Sequence, residues 1–185
     1  MEDLKELGFN KIKESGKDGL TFEIVIIKEG ESKNGTYYSK ETLLKARNLF
    51  EGAKVASYQW NGFFDHLSNK ASESTPQGFP SSVVGLVENV RFSKLDDGSY
   101  GLIGILKLTE SNRWLADIFK LGIETGNMEA LGFSIDALGE SVKETVNGKS
   151  LQVVKSIEVV NEITVVTNPA AGGRLERMVA SFNKK

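Results

Sequence analysis

The sequence contains no cysteine and only one histidine among its 185 residues. The absence of cysteine excludes disulfides, thiol nucleophiles and cysteine-ligated zinc. A zinc site built on several imidazoles is excluded as well, and any reaction that needs an imidazole must use His66. We therefore expect neither a metal ion nor any other cofactor.

The chain also lacks an excess of positive charge and a long apolar run. Its net charge is −2, whereas tight binding to nucleic acid depends on many lysine and arginine contacts to phosphates. No apolar run approaches the roughly 20 residues that span a bilayer, and residues 1–6 lack the apolar core of a signal peptide. We expect an intracellular protein whose partners include neither nucleic acid nor membrane.

The composition is that of one soluble globular domain. Hydrophobic residues make up 39% and charged residues 26% of the chain, whose length suffices for a substantial core. No internal repeat or linker divides it, so we predict a single domain over residues 1–185. Within it, the polar segment 68–82 is expected to form a mobile loop, and residues 175–185 a flexible tail.

Strand-like segments dominate the chain. Residues 20–28 are rich in β-branched side chains, which favours a strand. Residues 83–92 and 100–108 are strand-like and are joined by a hairpin signal at residues 95–98. Further strand-like segments are 55–60, 131–138 and 152–167, the last of them long or interrupted. Two helices are also predicted, one capped by Ser39 and one beginning near Asn112 and ending near Gly122 or Gly126.

The number and order of these segments favour one fold class. About seven strands, mostly joined by short turns, occur together with two or three helices. Because strands and helices do not alternate regularly, a parallel α/β sheet is less favoured. The sequence predicts a mainly-β, or α+β, fold: a closed β-barrel of about seven strands with helices around it.

One short strand places a hydroxyl opposite an apolar face. In the segment GFSID, Phe133 and Ile135 share one face, whereas Ser134 and Asp136 share the other. The apolar face would anchor the strand in a core while Ser134 faces a cleft, as a serine nucleophile requires. A solvated serine on an amphipathic strand is the commoner origin of such a pattern.

His66 is the one available base. An imidazole titrates near pH ~6.5, which suits it to accept a serine proton, although an exposed histidine at a loop edge fits the spacing equally. A third group should orient the imidazole, and with no second histidine it must be a carboxylate. The candidates are Glu162, Asp136, Glu158 and Asp65.

Two of these carboxylates can be compared from the sequence. Glu162 lies in a β-branched segment where it shares one face with Thr164 and Val166. A charged side chain there should have a partner, for which His66 is one candidate, unless the face is solvated. Asp65 adjoins His66, so in an extended chain the two side chains point apart.

Four segments in a fixed order carry a family resemblance. They are SKNGTYYS at 32–39 with the helix that follows, Asp65-His66, ALGFSI at 130–135 and EITVVTNPA at 162–170. Together they resemble the N-G-R-x-Y segment, the histidine segment, the nucleophile segment and the E-V-S-L-V-T-x-P-A signature of the prohead (capsid-maturation) serine proteases of tailed bacteriophages. Thr36 replaces the usual arginine of the first segment. The resemblance covers roughly residues 24–174.

The resemblance implies a fold, an activity and partners. The fold would be similar to herpesvirus assemblin, a closed β-barrel with surrounding helices. The activity would be that of a serine endopeptidase with Ser134 as nucleophile, His66 as base and Glu162 as carboxylate, Asp136 being the alternative third member. The substrates would be scaffold protein, extensions of the major capsid protein and the protease itself, inside the immature capsid in the host cytoplasm. The resemblance also suggests a homo-oligomer, such as a dimer.

Acyl transfer further requires stabilisation of an oxyanion. Residues 172–174, Gly-Gly-Arg, are expected just past the final strand, where backbone N–H groups and the Arg174 guanidinium could serve, unless this is only a glycine turn with a surface arginine.

Two other functions fit the same sequence. One is a non-catalytic scaffold or capsid-associated β-barrel module, in which Ser134 is remote from His66. The other is a barrel that binds a small ligand in an apolar cavity.

Overall fold

The computed structural model describes residues 18–60, 63, 64, 66, 80–127 and 131–179, with the backbone alone for residues 59, 60, 63, 64 and 80. Two α-helices are present in this part of the chain, α1 (Lys40–Ala46) and α2 (Arg113–Thr125). The strands are β1 Thr21–Lys28, β2 Gly30–Glu31, β3 Thr36–Tyr38, β4 Lys54–Ser57, β5 Gln59–Trp60, β6 Phe63–Phe64, β7 Val83–Lys94, β8 Tyr100–Leu108, β9 Gly132–Leu138, β10 Ser141–Val146, β11 Lys149–Val154, β12 Val159–Val166 and β13 Gly173–Met178.

Seven of the strands close into a barrel in the order β1-β13-β9-β12-β4-β7-β8. The pairing of β12 with β4 is parallel, and the other barrel pairings are antiparallel. A four-stranded sheet, β10-β11-β3-β2, and the small hairpin β5-β6 complete the β-structure. The predicted fold class, a mainly-β closed barrel with helices, is confirmed. Within the described residues, no helix is both long enough and apolar enough to cross a membrane.

The barrel core is built on aromatic and β-branched side chains. Phe22 of β1, Phe119 of α2 and Phe133 of β9 are fully buried and meet edge to face, with ring centroids 5.3 and 5.8 Å apart. Such contacts add to the free energy of apolar burial. The helix α2 therefore packs directly behind the strand that carries Ser134.

The helix boundaries follow their capping residues. Ser39 is the N-cap of α1, as predicted, and its hydroxyl accepts a hydrogen bond from the Thr42 N–H at 3.1 Å. Gly126 ends α2 in the left-handed conformation, with φ 72°, which a glycine adopts without steric penalty. Gly122, the other predicted end, is buried within the helix.

Several sequence-based boundaries need correction. The strand predicted over 55–60 divides into β4 and β5, and the segment 152–167 is interrupted between β11 and β12. The predicted flexible tail is wrong for residues 175–178, which belong to β13, because Leu175 is only 2% exposed and packs in the core. Of the predicted loop 68–82, Pro80–Ser82 form a 3-10 turn and residues 68–79 lie outside the described residues.

A buried glutamate ties β1 to two other strands of the barrel. Glu23 is 8% exposed and accepts hydrogen bonds from Arg177 of β13, at 3.0 and 3.2 Å, and from Arg91 of β7. Burial alone would raise the pKa of Glu23, but the hydrogen bonds and charges of both arginines outweigh it and hold the pKa below its usual range. The carboxylate therefore stabilises the folded barrel in its ionised form.

Replacing this carboxylate should make the protein less stable and less sensitive to acid. We expect Glu23→Gln to lower the free energy of unfolding at pH 7 by about 2 kcal/mol, because the charge-assisted hydrogen bonds from two arginines are weakened. In the wild type, the contribution of Glu23 is fully present above the ordinary glutamate pKa near 4.5 and is lost as the pH falls through the lowered folded value. Urea unfolding between pH 3 and 7 should show that the free energy of unfolding falls less steeply with acidification in the variant than in the wild type.

Glu88→Gln is the matched control. Glu88 forms an ion pair with Lys107 on the barrel surface, and both side chains are about half exposed. Removing such a pair should change the free energy of unfolding by about 0.5 kcal/mol or less. Equal acid sensitivity of the Glu23→Gln protein and the wild type would contradict the role given to Glu23.

Candidate active site on the outer face of the barrel

The strands β9 and β12 form a row of polar side chains on the outside of the barrel. In their antiparallel register Ser134 lies opposite Thr164, and Asp136 lies opposite Glu162. Opposite residues project on the same side of a sheet, so these four share one face. The intervening Phe133 is fully buried in the core, as are its cross-strand neighbours. The alternation predicted for GFSID is confirmed.

Glu162 is buried and held by two hydroxyl groups. Glu162 is 5% exposed. Tyr58 Oη donates a hydrogen bond to its Oε2 at 2.9 Å, and Thr164 Oγ1 donates one to its Oε1 at 3.2 Å. Both donors are buried too, Tyr58 at 5% and Thr164 at 0% exposure. A buried carboxylate needs such partners, since removing it from water without them is costly. Tyr58 was not predicted from the sequence, because its bond to Glu162 spans 104 residues.

The register places Glu162 one diagonal step from Ser134. Diagonal neighbours across an antiparallel pair lie about 7–8 Å apart at Cα. An imidazole has a nitrogen on each side of its ring, so it can hydrogen-bond to a serine and a carboxylate that are spaced in this way. Ser134 itself is half-buried.

His66 follows the hairpin that contacts β12. The Cα atoms of β6 approach those of β12 to within 8 Å, and His66 lies two residues after the end of β6. The residue is half-buried. The hairpin β5-β6, which lies against β12, therefore ends two residues before the only histidine of the sequence. Asp65, another candidate carboxylate, lies outside the described residues.

The other two carboxylate candidates are placed differently. Asp136 is half-buried on the face of Ser134 and accepts a hydrogen bond from Asn161 Nδ2 at 3.3 Å. Glu158 is exposed, and its N–H donates to the carbonyl of Leu138, four residues along β9 from Ser134. At about 3.3 Å per strand residue this separation is roughly 13 Å, too far for a shared imidazole. Asp136 therefore remains the alternative to Glu162, whereas Glu158 does not.

Arg174 lies on the opposite side of Ser134 from Glu162. The expectation that it follows the final strand is wrong: it is the second residue of β13 and pairs with Gly132 of β9. That register places it on the face of Ser134, two residues toward the start of β9. Its guanidinium lies 2.8 Å from the carboxylate of Glu176. Burial and the nearby Asp96 raise the pKa of Glu176, and Arg174 only partly offsets them.

A cleft opens beside Arg174. It has a volume of about 470 Å³, and its walls contain the backbone of Gly172 and Gly173 together with charged side chains of both signs, among them Lys28 and Asp97. These two charges form an ion pair at 2.8 Å. The space next to the predicted oxyanion group is therefore open and lined by charged side chains.

The segment between β12 and β13 folds onto the outer face because residue 132 has no side chain. A Cβ atom at Gly132 would lie 2.4 Å from Pro169 Cγ and 2.5 Å from the carbonyl oxygen of Gly173. The buried Pro169 thus occupies the space that a side chain at position 132 would need. This close approach fixes the turn that precedes Arg174 next to Ser134.

Within the part of the chain that the structure describes, no group of three or more histidine, aspartate or glutamate side chains is placed to hold a metal ion. No family model, curated protein or solved structure matches the chain. The function of this face must therefore be inferred from the chemistry of its own residues.

A side chain at position 132 should disturb this turn. We expect Gly132→Ala to lower the free energy of unfolding by about 1–3 kcal/mol, because Pro169 or the backbone of β13 must move to admit the Cβ atom. Urea unfolding measures the change. The double variant Gly132→Ala/Pro169→Ala should recover part of it, since one of the two contacts is relieved. A single variant within about 0.5 kcal/mol of the wild type would contradict this packing.

Proposed function

We propose that this chain is a serine endopeptidase of the prohead-maturation type, in which Ser134 is the nucleophile, His66 the general base and Glu162 the carboxylate that orients the imidazole. The observation that carries the proposal is the buried, doubly hydrogen-bonded Glu162 one diagonal step from Ser134. The motif resemblance supplies the substrates: scaffold protein, extensions of the major capsid protein and the protease itself, cut inside the immature capsid.

The support behind Ser134 suits a nucleophile. Its neighbour Phe133 is fully buried against Phe119 of α2, and Gly132 is pinned by Pro169. A strand fixed at both of these points holds a hydroxyl in one place, and such pre-positioning is a large part of the advantage of an enzyme over a reaction in solution.

Glu162 is preferred over Asp136 because of its surroundings. Glu162 is 5% exposed and enclosed by hydroxyl donors, whereas Asp136 is half-buried and partnered by an amide. A charge interaction strengthens where water is excluded, so a buried carboxylate stabilises an imidazolium more than an accessible one does. Asp136 stays the alternative third member.

The proposed reaction is acyl transfer. His66 takes the proton of Ser134 Oγ as the oxygen attacks the scissile carbonyl, and the imidazolium then protonates the leaving amine. A water activated by the same imidazole hydrolyses the acyl-enzyme. The negative oxygen of each tetrahedral intermediate would face Arg174 or the N–H groups of residues 172 and 173.

Removal of the Ser134 hydroxyl should abolish cleavage. We expect Ser134→Ala to reduce cleavage at least about 1,000-fold, because the nucleophile is lost. The chain is co-expressed with the scaffold and capsid proteins of its phage, and the products are identified by mass spectrometry. Ser141→Ala, at an exposed serine of β10, is the matched control and should cleave like the wild type. Identical fragments with and without the Ser134 hydroxyl, or none in either sample despite assembly, would favour a non-catalytic barrel module.

The two carboxylates should respond differently to neutralisation. We expect Glu162→Gln to lower kcat by about 1,000- to 10,000-fold, because an amide does not hold the imidazole tautomer or stabilise its charged form. Asp136→Asn should change kcat by about 10-fold or less. Both are assayed on a peptide that contains the identified cleavage site, with urea unfolding as the test of folding. A larger loss for Asp136→Asn would make Asp136 the third member instead.

A further inference from the structure

Glu162 is bound by one hydroxyl on each of its two oxygens. The Tyr58 hydroxyl donates to Oε2, and the Thr164 hydroxyl donates to Oε1. A carboxylate bound through a single oxygen can still turn about its last side-chain bond, whereas donors on both oxygens fix its plane. Each oxygen can accept a further hydrogen bond, so the carboxylate can still bind another donor while both hydroxyls are bound to it.

One of the two donors, Thr164, lies beside Ser134, and the other, Tyr58, precedes the hairpin that leads to His66. Thr164 lies directly opposite Ser134, yet its hydroxyl is turned along β12 to Glu162. Tyr58 lies between β4 and the hairpin β5-β6, which leads to His66. Its bond to Glu162 therefore attaches the start of that hairpin to β12.

We propose that Tyr58 and Thr164 are positioning residues, which hold the Glu162 carboxylate in the one orientation that receives the Nδ1–H of His66 and leaves its Nε2 lone pair for Ser134. This inference rests on the proposed function. It assigns the two buried hydroxyls a role in selecting the imidazole tautomer, in addition to satisfying a buried carboxylate. Partners of this kind fix the orientation of an imidazole and commonly change activity 10- to 100-fold when removed, as at metal-bound histidines.

The tautomer of His66 can be measured directly. The 185-residue chain contains a single histidine, so its ring nitrogens give one unambiguous set of ¹⁵N resonances. The pH is raised until the nitrogen shifts no longer change, and the two tautomers of the neutral ring are then distinguished by those shifts. We expect the Nδ1–H form to predominate in the wild type. Tyr58→Phe and Thr164→Val should each produce a mixture with the Nε2–H form.

The kinetic signature should match the spectroscopic one. Tyr58→Phe and Thr164→Val should each lower kcat about 10-fold while KM changes less than 2-fold, since substrate contacts are unaltered. Thr164→Ser keeps the hydroxyl and should keep both the tautomer and kcat near wild type. This variant retains a test of the threonine hydroxyl even where Thr164→Val does not fold. Tyr100→Phe, at a tyrosine stacked on Phe92 in the barrel wall, is the matched control.

The outcomes separate this inference from the proposed function. In one outcome, a fluorophosphonate labels the protein only when Ser134 is present, yet Tyr58→Phe and Thr164→Val leave the tautomer and kcat unchanged. This outcome would overturn the positioning role and would still support the proposed protease function. Loss of the Nδ1–H form in Thr164→Ser would also overturn it, since the methyl group and not the hydroxyl would then matter. A wild type that neither labels nor cleaves in assembled capsids overturns both.

Discussion

The antiparallel pairing of β9 with β12 is the interaction on which the whole outer face depends. It sets Ser134 opposite Thr164 and Asp136 opposite Glu162. A slip of one residue would turn these polar groups into the core and bring apolar side chains out. The register is secured from behind, because Phe133 and the core side chains opposite it are fully buried. The apolar row inside the barrel thus determines which polar groups meet outside it.

Closure of the barrel brings distant parts of the chain to this pairing. β4 joins β12 in parallel on one side, and β13 joins β9 on the other. Tyr58 therefore reaches Glu162 from one flank, while Arg174 stands beside Gly132 on the other. Each of these approaches depends on a contact between strands far apart in sequence, so the face exists only in the folded barrel.

Local periodicity explains what the sequence could predict. The alternation around Ser134, the Ser39 cap and the Gly126 stop depend on neighbouring residues, and each of these predictions is confirmed. The strand β13 was missed because half of its residues, GRLERM, are charged, and Leu175 is its one hydrophobic residue that is fully buried in the core. One of its charged side chains, Arg177, binds the carboxylate of Glu23, which lies 154 residues away in the sequence. No local pattern contains that information.

The placement of charge on this face bears on the proposed chemistry. Ser134 has the buried carboxylate of Glu162 toward one end of β9 and the guanidinium of Arg174 toward the other, so these two opposite charges do not pair with each other. Arg174 is instead paired with Glu176, next to the open cleft, and Glu162 with two neutral hydroxyls. A serine protease needs negative charge behind its imidazole and positive potential where the oxyanion forms. Neutral donors suit the first site, because a cation bound to Glu162 would weaken its attraction for an imidazolium. The hydroxyl partners of Glu162 are thus compatible with general-base catalysis in a way that a buried ion pair would not be.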